Sequence, residues 1–349
     1  VAADLYRGRL NAIAVQQIGS GKQQVLLTTE DSVRSIHWTG ANEFIASLST
    51  DQGIAWARFV LSKKSGLAHR VTKLTAIGWL VDPLPLSPGE VIWSFPTREW
   101  TQLHRVTLED LEGFLAAGRK ASGSYQIPGK KIERLRGQAR NWVVDADSNV
   151  RAVTLRDEER HRVLVSPGPG ESLRTVRNID DSDGAAFRPL AVSENGDRLI
   201  VAAHAGQDKI GLEYYDPIAD RFTGTLFRRP DVDVDDLQLD ELTGEPIAAV
   251  YEVGGELRFD YFEGNGRASL EALKTNFEGE TLVMLSRTAD GSRFALGVSS
   301  ATNPGEFYFR DENSGELSEI ATVASALDRS TLSDVDVFVV DSKDGTEIE

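Results

Sequence analysis

"SENGDRLIVAA" (Ser193–Ala203) and "TADGSRFALGV" (Thr288–Val298) are two versions of one phrase. Each opens on a hydroxyl residue and reaches a glycine, Gly196 or Gly291. A polar pair ending in Arg198 or Arg293 follows, then an apolar run. Glycine accepts the positive φ of a tight turn, and the run after it reads as a strand. The copies lie too far apart to be one hairpin. Their separation suits two units of a repeat with a period of about 45–50 residues.

Outward from this phrase the pattern is strand throughout. Runs such as "NEFIASLS", "GEVIWSF", "VRAVTLR", "PIAAVYE" and "EFYFRDE" recur between Gly, Asp, Asn and Pro clusters. Ser148–Asn149 and Gly254–Gly255 are hairpin turns by composition. Helical spacing is scarce. Leu108, Leu111 and Leu115 support a helix near Leu108–Ala117, and a short one is expected near Ala324–Arg329. "SLEALKTNF" reads either as one helical turn or as another strand pair. The strands group into units over residues 33–74, 76–108, 135–176, 187–228, 233–276 and 280–322; residues 10–29 add a hairpin, half a unit. Four short antiparallel strands at a period of about 45 residues form the pattern of a β-propeller blade. The expected fold is an all-β, seven-bladed β-propeller over residues 1–325. It has four-stranded antiparallel blades, six complete and a partial first one.

Composition narrows the function classes. The chain has 349 residues, 40% of them hydrophobic, and a formal net charge of −16. That balance opposes nucleic acid and anionic membranes, both of which require a basic face. No apolar run approaches the roughly 20 residues of a membrane helix. One basic stretch, Arg119–Arg140, carries Lys130, Lys131, Arg134 and Arg136 among others against Glu133 alone; its interleaved Gly and Pro read as a solvated connector. Cysteine is absent, which removes disulfides, thiol catalysis and Cys-bound metals while leaving bacterial cytoplasm and periplasm both open. Val1 in place of Met reads as a trimmed or processed start.

Motifs that would carry chemistry fall short. "GVSSA" (Gly297–Ala301) is the nearest string to a nucleophile elbow, but it lies between strands and leads into "TNPG" rather than a helix. His37, His69, His104, His161 and His204 sit singly, as blade-packing or surface residues. "IGSGKQQ" (Ile18–Gln24) has Gln23 where a phosphate loop needs a hydroxyl after Lys22, and reads as a hairpin turn. "DVDVDDLQLDEL" begins like a calcium loop with Asp231, Asp233 and Asp235. It then places Asp236 where glycine is required and Leu242 where a bidentate Glu belongs, and so suits an edge strand with acids facing water. "DADSNV" (Asp145–Val150) lacks the same glycine. No catalytic, cofactor-binding or metal-ligating residue is assigned, and substrate-binding residues are not identifiable.

Several stretches resemble one family. "GETLVMLSRTADGSRFALGVSSATNPGEFYFRDENSGELSEIA" is similar to the last blade of the N-terminal propeller of bacterial prolyl oligopeptidase-family serine peptidases, with an Asn-Pro-Gly turn (Asn303–Gly305) before an aromatic strand. "ARNWVVDADSNVRAVTL" resembles that family's mid-propeller hairpin. "SVRSIHWTGANEFIAS" resembles an early blade, with Trp38 before the turn. "LSDVDVFVVDSKDGTEIE" resembles the junction into the family's C-terminal α/β-hydrolase domain. Residues 326–349 are then expected to be a linker and the first strand of that domain, with Val335–Val340 a strand and Asp344-Gly345 a hairpin turn.

The resemblance implies a non-catalytic propeller that gates access to a serine peptidase acting on short peptides. Its partners would be the hydrolase domain of the same polypeptide and the peptide substrates, with no cofactor, nucleic acid or membrane. The family's Ser, Asp and His belong to the hydrolase domain and map onto nothing here. Two other readings stay open: a free-standing propeller scaffold, and a propeller enzyme using channel carboxylates.

Overall fold

The computed structural model describes residues 2–7, 10–62, 68–117, 126–157, 160–179, 186–264, 267–323, 327–338, 340–343 and 347–348. Two compact units divide the chain, Val1–His161 and Arg162–Glu349.

In the first unit, β1 (Ala2–Arg7), β2 (Leu10–Gln16) and β3 (Gln23–Thr29) form a three-stranded sheet. β4 (Ser32–Gly40), β5 (Glu43–Thr50), β6 (Gly53–Leu61) and β7 (Ala68–Thr75) form a four-stranded meander. β8 (Trp79–Asp82), β9 (Glu90–Pro96) and β10 (Trp100–Thr107) lead into helix α1 (Leu108–Ala117), and β11 (Lys130–Arg136) then closes that sheet at its edge. β12 (Gln138–Val144) and β13 (Val150–Arg156) end this unit; β14 (His161–Val165), which starts at its last residue, and β15 (Arg174–Asn178) complete the same sheet in the second.

The second unit contains β16 (Arg188–Val192), β17 (Leu199–Ala203), β18 (Gly211–Asp216) and β19 (Arg221–Phe227). β20 (Val234–Leu239), β21 (Pro246–Val253) and β22 (Glu256–Tyr261) precede helix α2 (Arg267–Lys274). β23 (Thr281–Arg287), β24 (Arg293–Ser300), β25 (Asn303–Asp311) and β26 (Glu316–Thr322) form the last blade. A two-residue ladder, β27 (Val340–Asp341) with β28 (Glu347–Ile348), follows.

Burial explains why these strands stack as blades. Every residue of β17 is buried, and all but the last of β13. Such strands need cover on both faces, and neighbouring sheets supply it. On β5, Phe44, Ala46 and Leu48 pack with Ile13 and Val15 of β2, whereas Ile45 points the other way, onto Val91, Trp93 and Phe95 of β9. β21 repeats this: Ala249 joins Ile200 and Ala202 of β17, and Ala248 joins Leu296 and Val298 of β24. The period-2 alternation thus feeds two different blade interfaces.

The repeated phrase is one turn built twice, between the first and second strands of blades two apart. Ser193 N donates to Arg198 O at 2.9 Å, and Thr288 N to Arg293 O at 2.9 Å. Gly196 N and Gly291 N each close back at 2.8 Å on the opening residue's carbonyl, with φ of 73° and 68°. The hydroxyls of Ser193 and Thr288 accept the Arg198 and Arg293 amides at 3.1 and 3.2 Å.

Four expectations are corrected. The blades number six, β4 to β26, rather than seven: the N-terminal strands form a three-stranded sheet, and β3 passes through Glu30–Asp31 straight into β4, leaving no chain for a fourth strand between them. The unit over 233–276 has three strands. Its last segment is α2, because Leu270 and Leu273 fall on one helical face and bury between Tyr261 and Phe294. The basic stretch is in large part strand: Lys130–Arg136 pairs with β10, while residues 118–125 lie outside the described set. The strand expected over Val335–Val340 shrinks to Val340–Asp341. Val335 and Phe338 remain 58% and 75% exposed. In addition, the tight turn before β25 is Ala301–Thr302, so Asn303-Pro304-Gly305 already belongs to the strand. Residues 324–326 and 344–346 are outside the described set; a 3₁₀ turn at Arg329–Thr331 follows the first of them.

Candidate functional site

In a propeller, blades radiate about a central channel, and one edge strand of each blade is the one available to line it. Here the first strands β4, β8, β12, β16, β20 and β23 each lie at a sheet edge. All six share a device: a β-bulge against the second strand. The extra residue is Arg34 in β4, Val81 in β8, Leu190 in β16, Asp235 in β20 and Leu285 in β23. In β12, Asn141 and Trp142 together occupy the irregular step, with Asn141 at φ 48°. A bulge adds twist and re-aims a side chain, so each blade presents one residue that plain alternation would direct elsewhere.

Adjacent first strands are tied by side chains. Arg140 of β12 lies over Trp79 of β8 at 5.5 Å, and Trp142 Nε1 donates to Ser94 Oγ at 3.3 Å. In the second unit Arg188 of β16 reaches Asp236 Oδ1 at 3.3 Å and the Asp235 carbonyl, and Gln238 Nε2 of β20 donates to the Met284 carbonyl at 2.6 Å. The exposed groups along these edges are Ser32, Arg34, Arg140, Asn141, Asp235, Asp236, Leu285 and Ser286. They mix charge, amide and apolar surface, which is suited to contact rather than to bond making. Sequence reading missed them because a bulge is a property of register, not of composition.

The described residues also form clefts. One of about 440 Å³ lies between α2 and the β23–β24 turn, lined by Arg267, Ser269, Met284, Arg287, Asp290 and Phe294 among others. Arg287 is bound to the buried Asp240. Burial pushes the Asp240 carboxyl up, but the Thr243 amide and then Arg287 outweigh it and hold it low. Asp290 is drawn down to about 2 by the Thr288 hydroxyl and the Ser292 amide and hydroxyl. A second cleft, of about 420 Å³, includes Asp31, Gln52 and Lys73; the hydrogen bond from Lys73 depresses Asp31. Neither lining joins a nucleophile to a base.

The sequence candidates fall elsewhere. Ser299 is inside β24, paired with Thr281, so no strand-to-helix elbow exists there. His104 is 5% exposed, with Nδ1 2.9 Å from the Pro128 carbonyl and its ring edge-on to Phe95; burial lowers its pKa. His37 lies in β4, His161 opens β14, and His204 follows β17 with Nδ1 buried. His69 lies in β7, outside the described side chains. "IGSGKQQ" is the β2–β3 hairpin turn, with Gly21 N to Gln17 O at 3.0 Å. β20 is an edge strand with its acids facing water; the bulge at Asp235 is what exposes Asp235 and Asp236 together. Asp231 pairs with Arg229, and Asp233 accepts the Ile210 amide at 2.6 Å. Asp145 is occupied by its own loop, accepting the Asn149 amide at 2.8 Å.

No known family's sequence profile matches the chain, and no curated protein matches it in sequence. Solved structures do. A prolyl endopeptidase superposes with a TM-score of 0.57 at 15% identity, covering 99% of this chain and 53% of its own. Puromycin hydrolase gives 0.52 at 15% identity over 99% of this chain and 57% of its own. The β-propeller domain of the Trilobed protease from Pyrococcus furiosus gives 0.51 at 9% identity over 93% of this chain and 99% of its own. The chain therefore spans about half the length of the whole peptidases it resembles. Its structural neighbours are prolyl oligopeptidase and related peptidases and propeller domains, and what it shares with them is the all-β propeller fold of four-stranded antiparallel blades.

Proposed function

We propose that this chain is the non-catalytic, access-gating propeller of a prolyl oligopeptidase-like serine peptidase acting on short peptides. One observation carries the reading: nearly all of the chain superposes on about half of a prolyl endopeptidase, and it matches an isolated protease propeller almost end to end. On this reading residues 1–325 are the propeller. Residues 326–349 lead into an α/β-hydrolase domain of the same polypeptide. That domain supplies a serine nucleophile, a histidine base and an oxyanion hole. The propeller excludes folded proteins, and its first-strand edges contact flexible peptides.

Chromogenic peptide esters and amides test the first half. This chain and its Ser299→Ala variant should both be inert, and turnover lost with Ser299 refutes the reading. Expression of the gene's full product tests the second half: it should cleave short peptides but not folded proteins, and deleting residues 1–325 should abolish that discrimination. A full product without a hydrolase domain would favour a free-standing scaffold.

A further inference from the structure

Among the described side chains, the cations of β7 and β15 are held by partners, whereas those of β11 are not. Arg174 and Arg177 of β15 are held by the Pro217 and Ile218 carbonyls and by Asp220, and Lys73 of β7 by Asp31. On β11, Lys130, Lys131, Arg134 and Arg136 are all exposed, and among the described residues none is within ion-pair reach of a carboxylate. The strand's own Glu133 turns to the Arg134 amide at 2.7 Å.

Register sharpens the pattern. β11 pairs Arg136 with Trp100, Arg134 with Gln102 and Lys131 with His104; a bulge at Ile132 brings Lys131 onto the face that already carries Arg134 and Arg136. Arg134 lies 4.1 Å over the Trp100 ring, which holds its guanidinium against the sheet while leaving its donors exposed. Alternate positions of a strand repeat at about 6.6–6.8 Å, so this face is a row of cations at strand spacing. Among the described residues no strand pairs with the outer edge of β11, which leaves main-chain donors and acceptors along it.

We propose that β11 is a docking edge for an extended acidic segment of a partner protein, added antiparallel or parallel to the sheet, with Asp or Glu at alternate positions over Lys131, Arg134 and Arg136. A free strand edge offers amides and carbonyls that another peptide matches and a nucleic acid backbone does not. The chain's net charge of −16 also repels extended polyanions at long range, whereas a short segment feels mainly the local row. This inference stands independently of the peptidase reading.

The test uses the whole chain and three labelled peptides of about nine residues: alternating Glu-Val, the same composition with the charges in one block, and the alternating peptide with N-methylated amides on its pairing edge. Fluorescence anisotropy should show the alternating peptide binding about tenfold more tightly than either other. Affinity should fall about tenfold between 50 and 500 mM salt. The double variant Arg134→Glu/Arg136→Glu should lose about tenfold, while Arg134→Lys/Arg136→Lys keeps most of the binding; circular dichroism confirms that both fold. Equal binding of the three peptides, no binding, or tighter binding of a single-stranded oligonucleotide overturns the proposal. Non-binding would leave the cations as a guard against edge-to-edge association.

Discussion

At the residue scale, two glycines separate turn chemistry from close packing. Gly196 has φ 73° with nothing within 4 Å of an added Cβ, so Gly196→Ala meets only backbone strain, about 1 kcal/mol. Gly78 has φ 96°, and its Cβ would fall 1.9 Å from the Ser94 carbonyl oxygen and 2.8 Å from Trp93 Nε1. Trp93 is 1% exposed and its Nε1 already donates to the Ile77 carbonyl. Gly78→Ala should therefore cost about 3 kcal/mol or more, read as the shift in urea midpoint against Gly196→Ala. Acid behaviour follows from Asp240. Its carboxyl is depressed when folded, so its contribution is present above the unfolded carboxylate value and disappears as pH falls through the folded one. Asp240→Asn should lower stability at neutral pH and flatten the acid limb below about pH 4 in a pH series of denaturant melts. His104 is also depressed, by burial first; with the proton favouring the unfolded chain, its contribution is present above about pH 6.5 and is lost as pH falls toward its folded value. An NMR titration should find its imidazole still neutral when exposed histidines have protonated.

At the element scale, the first strand of the last blade combines a fixed half with an adaptable half. In β23, Leu282 and Met284 are buried, whereas the bulge residue Leu285 is 43% exposed. Leu285→Ser should cost less than about 0.5 kcal/mol, while Leu296→Ala, at a fully buried position of β24, should cost about 2–5 kcal/mol. Similar losses at both positions would show that the bulge residue belongs to the packing rather than to the contact surface. Helix α2 makes the parallel point where a fourth strand was expected. Leu270 is 2% exposed among Tyr261 and Phe294, so Leu270→Ala should cost about 2–4 kcal/mol by thermal or urea denaturation. The helix is then part of the blade interface, not an ornament on it.

At the scale of the whole molecule, stability is uneven. Every residue of β17 is buried, whereas residues 332–338 have no regular structure and keep Val335, Val337 and Phe338 exposed. Hydrogen exchange by mass spectrometry should find 332–338 exchanged within seconds and Leu199–Ala203 protected for hours; slow exchange through 332–338 would mean that this tail is packed as a blade strand. That contrast also divides what could be read in advance. The strand-rich pattern, the period of about 45–50 residues, the turns at Gly196 and Gly291 and the helix at Leu108–Ala117 are local properties, carried by alternation and by residues that accept positive φ, and sequence alone determined them. The failure of "GVSSA" as an elbow was legible for the same reason, since its neighbours are strand formers. Tertiary structure decided the rest. Whether 267–274 became helix or strand depended on a pocket for Leu270 and Leu273. Lys130–Arg136 became a strand only because β10 offered an edge. The six first-strand bulges, which select Arg34, Asn141, Asp235 and Leu285 for display, arise from the register between strands. Register is a relation between two segments, and one segment's composition does not contain it.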